Sequence, residues 1–393
     1  MQLERLTVTV ALAVALVVAL FARPAAADGS GAVTRASTEV AGYTDTVAVS
    51  VLTPSVAVSV ESPTAGWGGS GRYLVDVVSA ASPDIVATAS PRWHEVRHAG
   101  SLGAKYKPGT FGVALGGAAS YTPDYLALSA NAQLIEELDD KLLTLVQGYS
   151  YGRDTIGRTG TPFSVFSHTL ESHAFTLGLS RIVNAGLFLG LGADVIVERG
   201  DQSKPYRYVP MFAPDVAPAV PRGASAIDVA NVRLVARPLE QLPLARDRFA
   251  VTGRLGWRGD KTTLRLEERL YSDSWGARAT TTDLRWFVDV AQRVTLWPHL
   301  RAHVQSGVSF WERAYAAQSA DSLPALRTGD RELGPLANFG GGGGARFSLG
   351  KSGAKDDLVL AFTCDGTWTS FRDALYVKDR FSVLGTTSFE VTF

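Results

Sequence analysis

The sequence predicts an all-β protein, a transmembrane antiparallel up-and-down β-barrel of about sixteen strands, with fourteen as the alternative count. Three observations predict this fold class. The chain ends in a strand whose side chains alternate between apolar and polar up to the final residue, similar alternating segments recur along the chain, and the connections between them divide into a short and a long set. A soluble β-sandwich requires neither an apolar outer face nor such a two-sided set of connections.

The terminal strand covers residues 381–393. Every second residue from Phe381 to Phe393 is apolar or small except Thr387, and the residues between them are mostly polar. Side chains of a strand alternate between two faces, so one face of this strand is largely apolar. A soluble protein gains little from an aromatic ring at a free C-terminus, whereas a barrel in lipid needs an apolar outer face with aromatic rims.

The N-terminus has the pattern of a secretory signal peptide. An apolar run from Leu6 to Ala22 follows Arg5, and three alanines end just before Asp28. We therefore expect residues 1–27 to be removed and residues 28–393 to form one barrel domain; a retained anchor helix is the alternative. No later run is long and apolar enough for a membrane helix.

Alternation with period two defines the other predicted strands. Pro54 is expected to cause a bulge or another distortion, and the weak hairpin at 36–60 leaves the fourteen-strand count open. The predicted strands are 36–44, 46–60, 70–79, 92–106, 111–121, 125–136, 142–152, 167–182, 187–199, 247–258, 262–274, 279–290, 295–310, 334–348, 358–370 and 381–393.

The longest connection is predicted to be an external loop over residues 200–246. It contains seven prolines, but several of its residues are too apolar for a freely solvated linker. We expect it to fold over or into the mouth of the barrel and to form a constriction. The candidate residues are Tyr206, Arg207, Tyr208, Met211 and Phe212.

Alternation also assigns charged side chains to the lumen. They form either a charged constriction that selects solutes or a structural network that fills the barrel. Glu268 falls on the outer face, which predicts a bulge or a position at the rim. The lumen candidates are Arg248, Arg254, Arg265, Glu267, Arg269, Asp283, Arg285, Asp289, His299, Arg301 and His303.

Two further patterns predict local structure. The run Gly340 to Gly344 is expected to flatten or kink its strand where a loop or plug packs closely. The tryptophans are expected to form two aromatic belts at the two ends of the strands. The belt candidates are Trp93, Trp275, Trp311 and Trp368 at the outer end, and Trp67, Trp257, Trp286 and Trp297 at the inner end.

Several function classes are not favoured. The 38 basic and 38 acidic side chains give no net field for nucleic acid. The histidine pairs spaced i, i+4 would be about 13 Å apart on a strand, so we expect no metal site and no cofactor. A hydrolase at the rim is a minor alternative that would have to use Ser167, His168, His173 and Asp154.

Stretches throughout the chain resemble a family of bacterial outer-membrane β-barrel proteins that is known only as a domain of unknown function. The family implies the fold and the location, but no substrate and no catalytic residues. Phe389, Val391 and Phe393 also resemble the C-terminal signal that the barrel assembly machinery recognises. The resemblance rests on YLVDVVSAASPDIV at 73–86, RHAGSLGA at 97–104, GYSYGRDTIG at 148–157, ERGDQSKPYRYVPMF at 198–212, EQLP at 240–243 and ALRTGDRELGPL at 325–336.

The sequence thus predicts an integral barrel in the outer membrane of a Gram-negative bacterium, surrounded by outer-membrane lipid. Its expected function is a passive channel or transporter for small solutes. A structural or surface-interaction barrel with a plugged lumen is the first alternative, and the rim hydrolase is the second.

Overall fold

Sixteen long strands form one closed antiparallel barrel in the computed structural model, which describes residues 31–88, 93–318, 322–350 and 357–393. The predicted all-β barrel and the count of sixteen strands are therefore confirmed. The predicted signal peptide, residues 1–27, lies outside the described residues.

The barrel strands are 12 to 17 residues long, enough to cross a bilayer when tilted. Two short strands pair in parallel outside the barrel, and two short α-helices lie in connections. The barrel strands are β1 (Val33–Asp45), β2 (Val49–Ser62), β3 (Trp67–Ala80), β4 (Trp93–Tyr106), β5 (Phe111–Thr122), β6 (Tyr125–Leu138), β7 (Leu143–Ile156), β8 (His168–Asn184), β9 (Leu187–Gly200), β11 (Ala245–Arg258), β12 (Thr262–Asp273), β13 (Arg278–Ala291), β14 (Val294–Gln305), β16 (Leu336–Ser348), β17 (Asp357–Phe371) and β18 (Asp379–Thr392). The other elements are β10 (Met211–Phe212), β15 (Tyr315–Ala316), α1 (Pro83–Thr88) and α2 (Ala226–Val232).

The first and last strands close the barrel. β1 pairs with β18 in continuous antiparallel register, from Arg35 opposite Thr392 to Asp45 opposite Ser382. This pairing leaves no strand edge without a partner, as a β-structure in lipid requires. The C-terminal strand is therefore the closing strand of the fold.

The two faces of the wall differ in polarity. Leu102, Leu270 and Leu300 are exposed on the outer face, whereas charged side chains of the neighbouring positions point into the lumen. The buried apolar clusters lie among the connections at one end of the barrel. Among the described residues, no helix is long and apolar enough to cross a membrane.

The two ends of the barrel also differ. We call one end the turn end: it holds the start of β1, the C-terminus and connections of a few residues, such as 185–186 and 259–261. The other end, the lid end, carries the longest connections, residues 201–244 and 306–335, which we together call the lid. Some connections at the lid end are nevertheless short, such as residues 123–124 between β5 and β6.

The predicted strand 295–310 is too long by five residues, because β14 ends at Gln305. Val308, which the alternation of the predicted strand would place on the outer, lipid-facing side, is instead buried in the lid against Leu242 and Trp275. An apolar residue after a strand continues the alternation whether it faces lipid or a folded loop, so the pattern could not mark the end of the strand.

Two local irregularities were predicted. The register between β2 and its neighbours does not shift at Pro54, so there is no bulge, but Thr53 and Pro54 lack partners in the ladder with β3, which is the expected distortion. Glu268 also lies in unshifted register and faces outward from the middle of β12. Its carboxylate accepts hydrogen bonds from the hydroxyls of Thr280 and Thr282 on β13, which partly satisfy a charge on an otherwise apolar face.

The two-belt hypothesis is wrong for three tryptophans, and the side chain of Trp93 lies outside the described residues. Trp275 is buried in the lid, and the indole of Trp311 donates to the Asp373 carbonyl at 3.1 Å. Trp297 pairs with Gly344 on the lumen side and packs on Phe287 at 5.4 Å between ring centroids. The exposed outer-face tryptophans are Trp67, Trp257, Trp286 and Trp368.

The glycine run Gly340 to Gly344 in β16 accommodates side chains of adjacent strands, not a loop or plug as predicted. His299 on β14 reaches across Gly342 to Asp365 on β17, with 2.8 Å between Nδ1 and Oδ1. A β-carbon at Gly342 would overlap the carbonyl oxygen of Cys364, and one at Gly344 would overlap the indole of Trp297. The glycines therefore leave space for a polar contact across an intervening strand.

We expect Gly342→Ala to destabilise the barrel by about 1–3 kcal/mol, because the added methyl group meets backbone and the Asp365 side chain. Urea unfolding of refolded protein, followed by tryptophan fluorescence, measures the change. Gly253→Ala is the matched control in β11, since no atom lies within 4 Å of its β-carbon position. Equal unfolding midpoints for the two variants would contradict this account of the glycine run.

Candidate functional site

The centre of the charged lumen is Asp283 on β13. Its carboxylate lies 3.2 Å from Arg285, 3.4 Å from Arg301 and 2.9 Å from Nε2 of His299. The other ring nitrogen of His299 faces Asp365, so the imidazole bridges two carboxylates. One carboxylate thus contacts nitrogen atoms of three side chains, one on β13 and two on β14, and these contacts link the two strands.

Most other predicted lumen residues are also paired across strands. The nearest nitrogen–oxygen distances are 2.8 Å for Arg248–Glu198, 2.6 Å for Arg254–Glu267, 3.2 Å for Arg269–Asp194 and 2.9 Å for Arg258–Asp289. His303 contacts the hydroxyl of Thr281 at 2.8 Å. Opposite charges on adjacent strands stabilise their pairing, so much of this set has a structural role.

Arg265 is different. Among the described residues it has no carboxylate within salt-bridge distance, and its guanidinium lies 5.1 Å from the ring centroid of Phe287. In the ladder between β12 and β13 it stands directly opposite Arg285. Two guanidinium groups at directly opposed positions repel each other, so the lumen carries excess positive charge here.

These residues border a cavity of about 750 Å³ at the turn end of the lumen. Asn184 and Gly186 from the connection between β8 and β9 form part of its wall. Its charged lining consists of Arg254, Arg258, Arg265, Arg285, Arg301, Glu267 and Asp283. The lining has five arginines and two carboxylates, so its net charge is positive. Such a surface favours an anionic ligand, or attracts anions from the water that fills it.

The lid crosses the opposite mouth. Residues 201–244 begin between β9 and β11, yet they contact connections far from that point in the ring of strands. The Tyr206 hydroxyl donates to Asp124 at 2.7 Å, the Tyr208 amide donates to the Thr88 carbonyl at 3.0 Å, and Arg222 donates to Ser370 at 2.9 Å. Contacts with the β5–β6, β3–β4 and β17–β18 regions require the segment to span the opening.

The lid has its own apolar core. Met211 and Phe212 in β10 are fully buried, at 0% exposure, and β10 pairs with β15 of the second lid segment. Phe212 packs in a cluster with Val229 of α2 and with Leu375 from the β17–β18 connection. Burial of such side chains stabilises by about 1.5–3 kcal/mol each, so this segment is a folded unit.

A buried ionic group joins the two lid segments. Arg207 lies 3.2 Å from Glu240 and 2.9 Å from Asp330, and only 1% of the Glu240 side chain is exposed. Thr328 donates to Glu240 at 2.6 Å, and its amide donates to the Tyr315 hydroxyl at 3.1 Å. The group therefore connects residues 201–244 to residues 306–335 through charge-assisted hydrogen bonds.

Burial and charge shift the pKa values of this group. Burial alone would lower the pKa of Arg207, but the adjacent Asp330 and Glu240 raise it above its usual value. Burial would raise the pKa of Asp330, but the charge of Arg207 outweighs it and holds that pKa below the usual range. Burial raises the pKa of the Tyr315 hydroxyl to about 12. Arg207 and Asp330 are therefore charged together at neutral pH.

The structure places every predicted lumen residue on the strand and face expected from alternation, and the five constriction candidates in the lid. It does not bring the hydrolase candidates together: Asp154 lies in the lumen beside Tyr125, whereas His173 contacts Tyr149 on the outer face. No group of three or more His, Cys, Asp or Glu side chains within the described ranges could hold a metal ion.

Several residues of the charged lumen and of the lid were not predicted from the sequence. Asp365 and Phe287 occupy inward positions of predicted strands, so the alternation that found their neighbours could have found them. Glu240 and Asp330 lie in irregular connections, where no periodic signal marks an inward or buried position.

The chain was compared with known proteins. The profile of the family described as "Protein of unknown function (DUF3570)" matches residues 33–352. Among curated protein sequences, none matches this chain.

Solved structures that resemble it are outer-membrane barrels at very low identity. A bacterial polysaccharide outer membrane secretin has 9% identity and a TM-score of 0.46, with 93% of this chain and 98% of that chain covered. CdiB from Acinetobacter baumannii has 8% identity and a TM-score of 0.49, covering 92% of this chain and 60% of that chain. The outer membrane protein opdK from Pseudomonas aeruginosa has 9% identity and a TM-score of 0.42, covering 92% and 99%.

We predict that Arg207→Met loosens the lid by about 3–5 kcal/mol, because it leaves Glu240 and Asp330 without their cation. The rate of trypsin cleavage after Arg233 should rise accordingly. Arg181→Met is the control, since Arg181 and Asp139 form a half-exposed pair at the turn end that contributes little. Cleavage of Arg207→Met at the wild-type rate would show that this ionic group does not hold the lid.

We also predict a pH dependence of the lid. Because the pKa of Asp330 is lowered in the folded protein, its contribution is complete above the usual value of 3.8 and is lost as the pH falls through the lowered value. Amide hydrogen exchange in residues 207–209 and 328–331, corrected for intrinsic rates, should stay constant from about pH 7 to 5 and rise below about pH 4. Asp330→Asn should lack this acid step; a step near pH 6 would assign the change to another group.

Proposed function

We propose that this chain, which belongs to the DUF3570 family of proteins of unknown function, is a gated outer-membrane transport barrel for small solutes. The observation that carries the proposal is the asymmetry of the lumen. A folded lid spans one mouth through hydrogen bonds to separate connections, while a cavity of about 750 Å³ adjoins the turns of the other end. In this proposal the lid closes the passage and has to move before a solute can cross.

The orientation follows from the two ends. Outer-membrane barrels place short turns in the periplasm and long loops outside, so the lid is proposed to face the exterior and the cavity the periplasm. The outward-facing Phe389 and Val391, with the terminal Phe393, are proposed as the signal for the barrel assembly machinery. Outer-membrane lipid would then surround the apolar outer face.

Transport is favoured over a purely filled lumen because the arginines beside the cavity retain exposed surface. The side chains of Arg254 and Arg301 are 58% and 54% exposed although both form ion pairs. Side chains that merely filled the barrel would be buried, whereas these remain available to water and solutes.

A surface-interaction protein is the second candidate. In the lid, Ile227 is 73% exposed and Val235 is 94% exposed, and Val86 of α1 is exposed as well. An apolar group at a solvent-facing position favours contact with another macromolecule. In this alternative the lid is a permanent plug that presents a binding surface.

Single-channel conductance in planar bilayers tests the proposal. The variant to make replaces residues 213–233 by a short glycine linker, which can join the ends because Leu234 donates to the Met211 carbonyl at 2.7 Å. We expect rare openings for the intact protein and sustained steps for the deletion. Val235→Ser, which alters only the exposed surface of the lid, should behave like the intact protein.

Two results would contradict the proposal. Silence of a deletion variant that still shows heat-modifiable migration would mean that the lumen stays blocked without residues 213–233, which overturns closure of a transport path by this segment and leaves the surface-interaction candidate. Sustained conductance of the intact protein, equal to that of the deletion, would show that the lid is not the closure.

A further inference from the structure

The side chains that line the cavity at the turn end carry more positive charge than the carboxylates among them can neutralise. Arg265 and Arg285 face each other in the β12–β13 ladder. Asp283 is the carboxylate nearest to Arg285, but it also contacts Arg301 and His299. Arg265 has no carboxylate partner among the described residues, so its charge, directly opposite that of Arg285, is not neutralised by a described side chain.

The guanidinium groups are also held in place. Arg265 lies over the ring of Phe287, and Trp297 packs against that ring. A ring under a guanidinium attracts the cation and fixes its plane, while the edge that carries the N–H donors stays free. Arg285 is held from one side by Asp283, and 47% of its side chain remains exposed.

Fixed, partly exposed guanidinium groups recognise oxyanions well. Each can present two parallel N–H donors to a carboxylate or a phosphate group. Two such groups at opposed positions in neighbouring strands fit an anion with two charged groups better than one with a single charge. A cavity of about 750 Å³ is large enough for a small organic molecule but not for a polymer.

We propose that the cavity binds a small solute that carries at least two carboxylate or phosphate groups, with Arg265 and Arg285 as its main ligands. Arg301 lies on the adjacent strand and supplies a further donor on the same wall. The site is reached from the turn end, because the connection between β8 and β9 forms part of its wall. That the bound solute is the transported one rests on the proposed function; the binding itself does not.

Isothermal titration calorimetry of the full chain in detergent tests the site with citrate and inorganic pyrophosphate as probes and sucrose as the uncharged control. We expect citrate, pyrophosphate or both to bind, with an affinity that falls as salt is added. Binding of citrate alone assigns the carboxylate class, and binding of pyrophosphate alone assigns the phosphate class. If neither probe binds the folded barrel, or if sucrose binds equally well, the proposal is overturned.

Variants locate the site. Arg265→Gln should weaken binding of the positive probe by about tenfold, the effect of losing one charge-assisted contact. Arg269→Gln is the matched control, because Arg269 lies on the same strand and face but pairs with Asp194 and does not line the cavity. Equal loss of affinity in both variants would indicate a general field effect and overturn the assignment to Arg265.

The two proposals fail separately. Titration in detergent requires no conductance, so a protein that binds citrate but stays silent after deletion of residues 213–233 keeps the anion site and loses the proposed transport function. Conversely, a conducting deletion variant without anion binding keeps transport and loses the site.

Discussion

Closure of the sheet is the constraint on which the rest of the structure depends. In lipid, an unpaired strand edge would leave backbone groups without hydrogen bonds, and pairing of β1 with β18 removes that edge. Once sixteen strands are closed, every second side chain must point into the lumen. A barrel this wide cannot fill its centre with a conventional apolar core, so the buried apolar clusters form in the connections at the lid end.

Closure also explains the charges in the lumen. Arginines that point inward are separated from bulk solvent on several sides, and carboxylates on the adjacent strand or on the next strand but one neutralise most of them. Where strands are too far apart for direct contact, small residues help: Gly342 lets His299 reach Asp365 across β16. Arg265, directly opposite Arg285, departs from this rule, and it borders the cavity of about 750 Å³.

Most features that could be predicted from the sequence were predicted from the alternation of apolar and polar residues. All sixteen barrel strands were predicted, with ends mostly correct to within a few residues, because period-two patterning is imposed by lipid outside and water inside. The pattern failed where an apolar residue had another partner. Trp275 and Val308 were expected in contact with lipid and instead pack in the lid. The ionic group of Arg207, Glu240 and Asp330 left no trace in the sequence, because it joins two irregular segments that only the folded barrel brings together.

The separation of lid and cavity limits how the barrel could be gated. A ligand shifts a conformational equilibrium only if it binds one state more tightly than the other. No described residue of the lid lines the cavity, so an anion bound beside Arg265 contacts the same groups whether the lid is closed or displaced. Filling the cavity would therefore leave the lid where it is. A force that opens it has to act on the lid contacts themselves, such as Tyr208 with Thr88 or Arg222 with Ser370. In such a barrel, selection of the solute and opening of the mouth are separate properties that are located at opposite ends of the barrel.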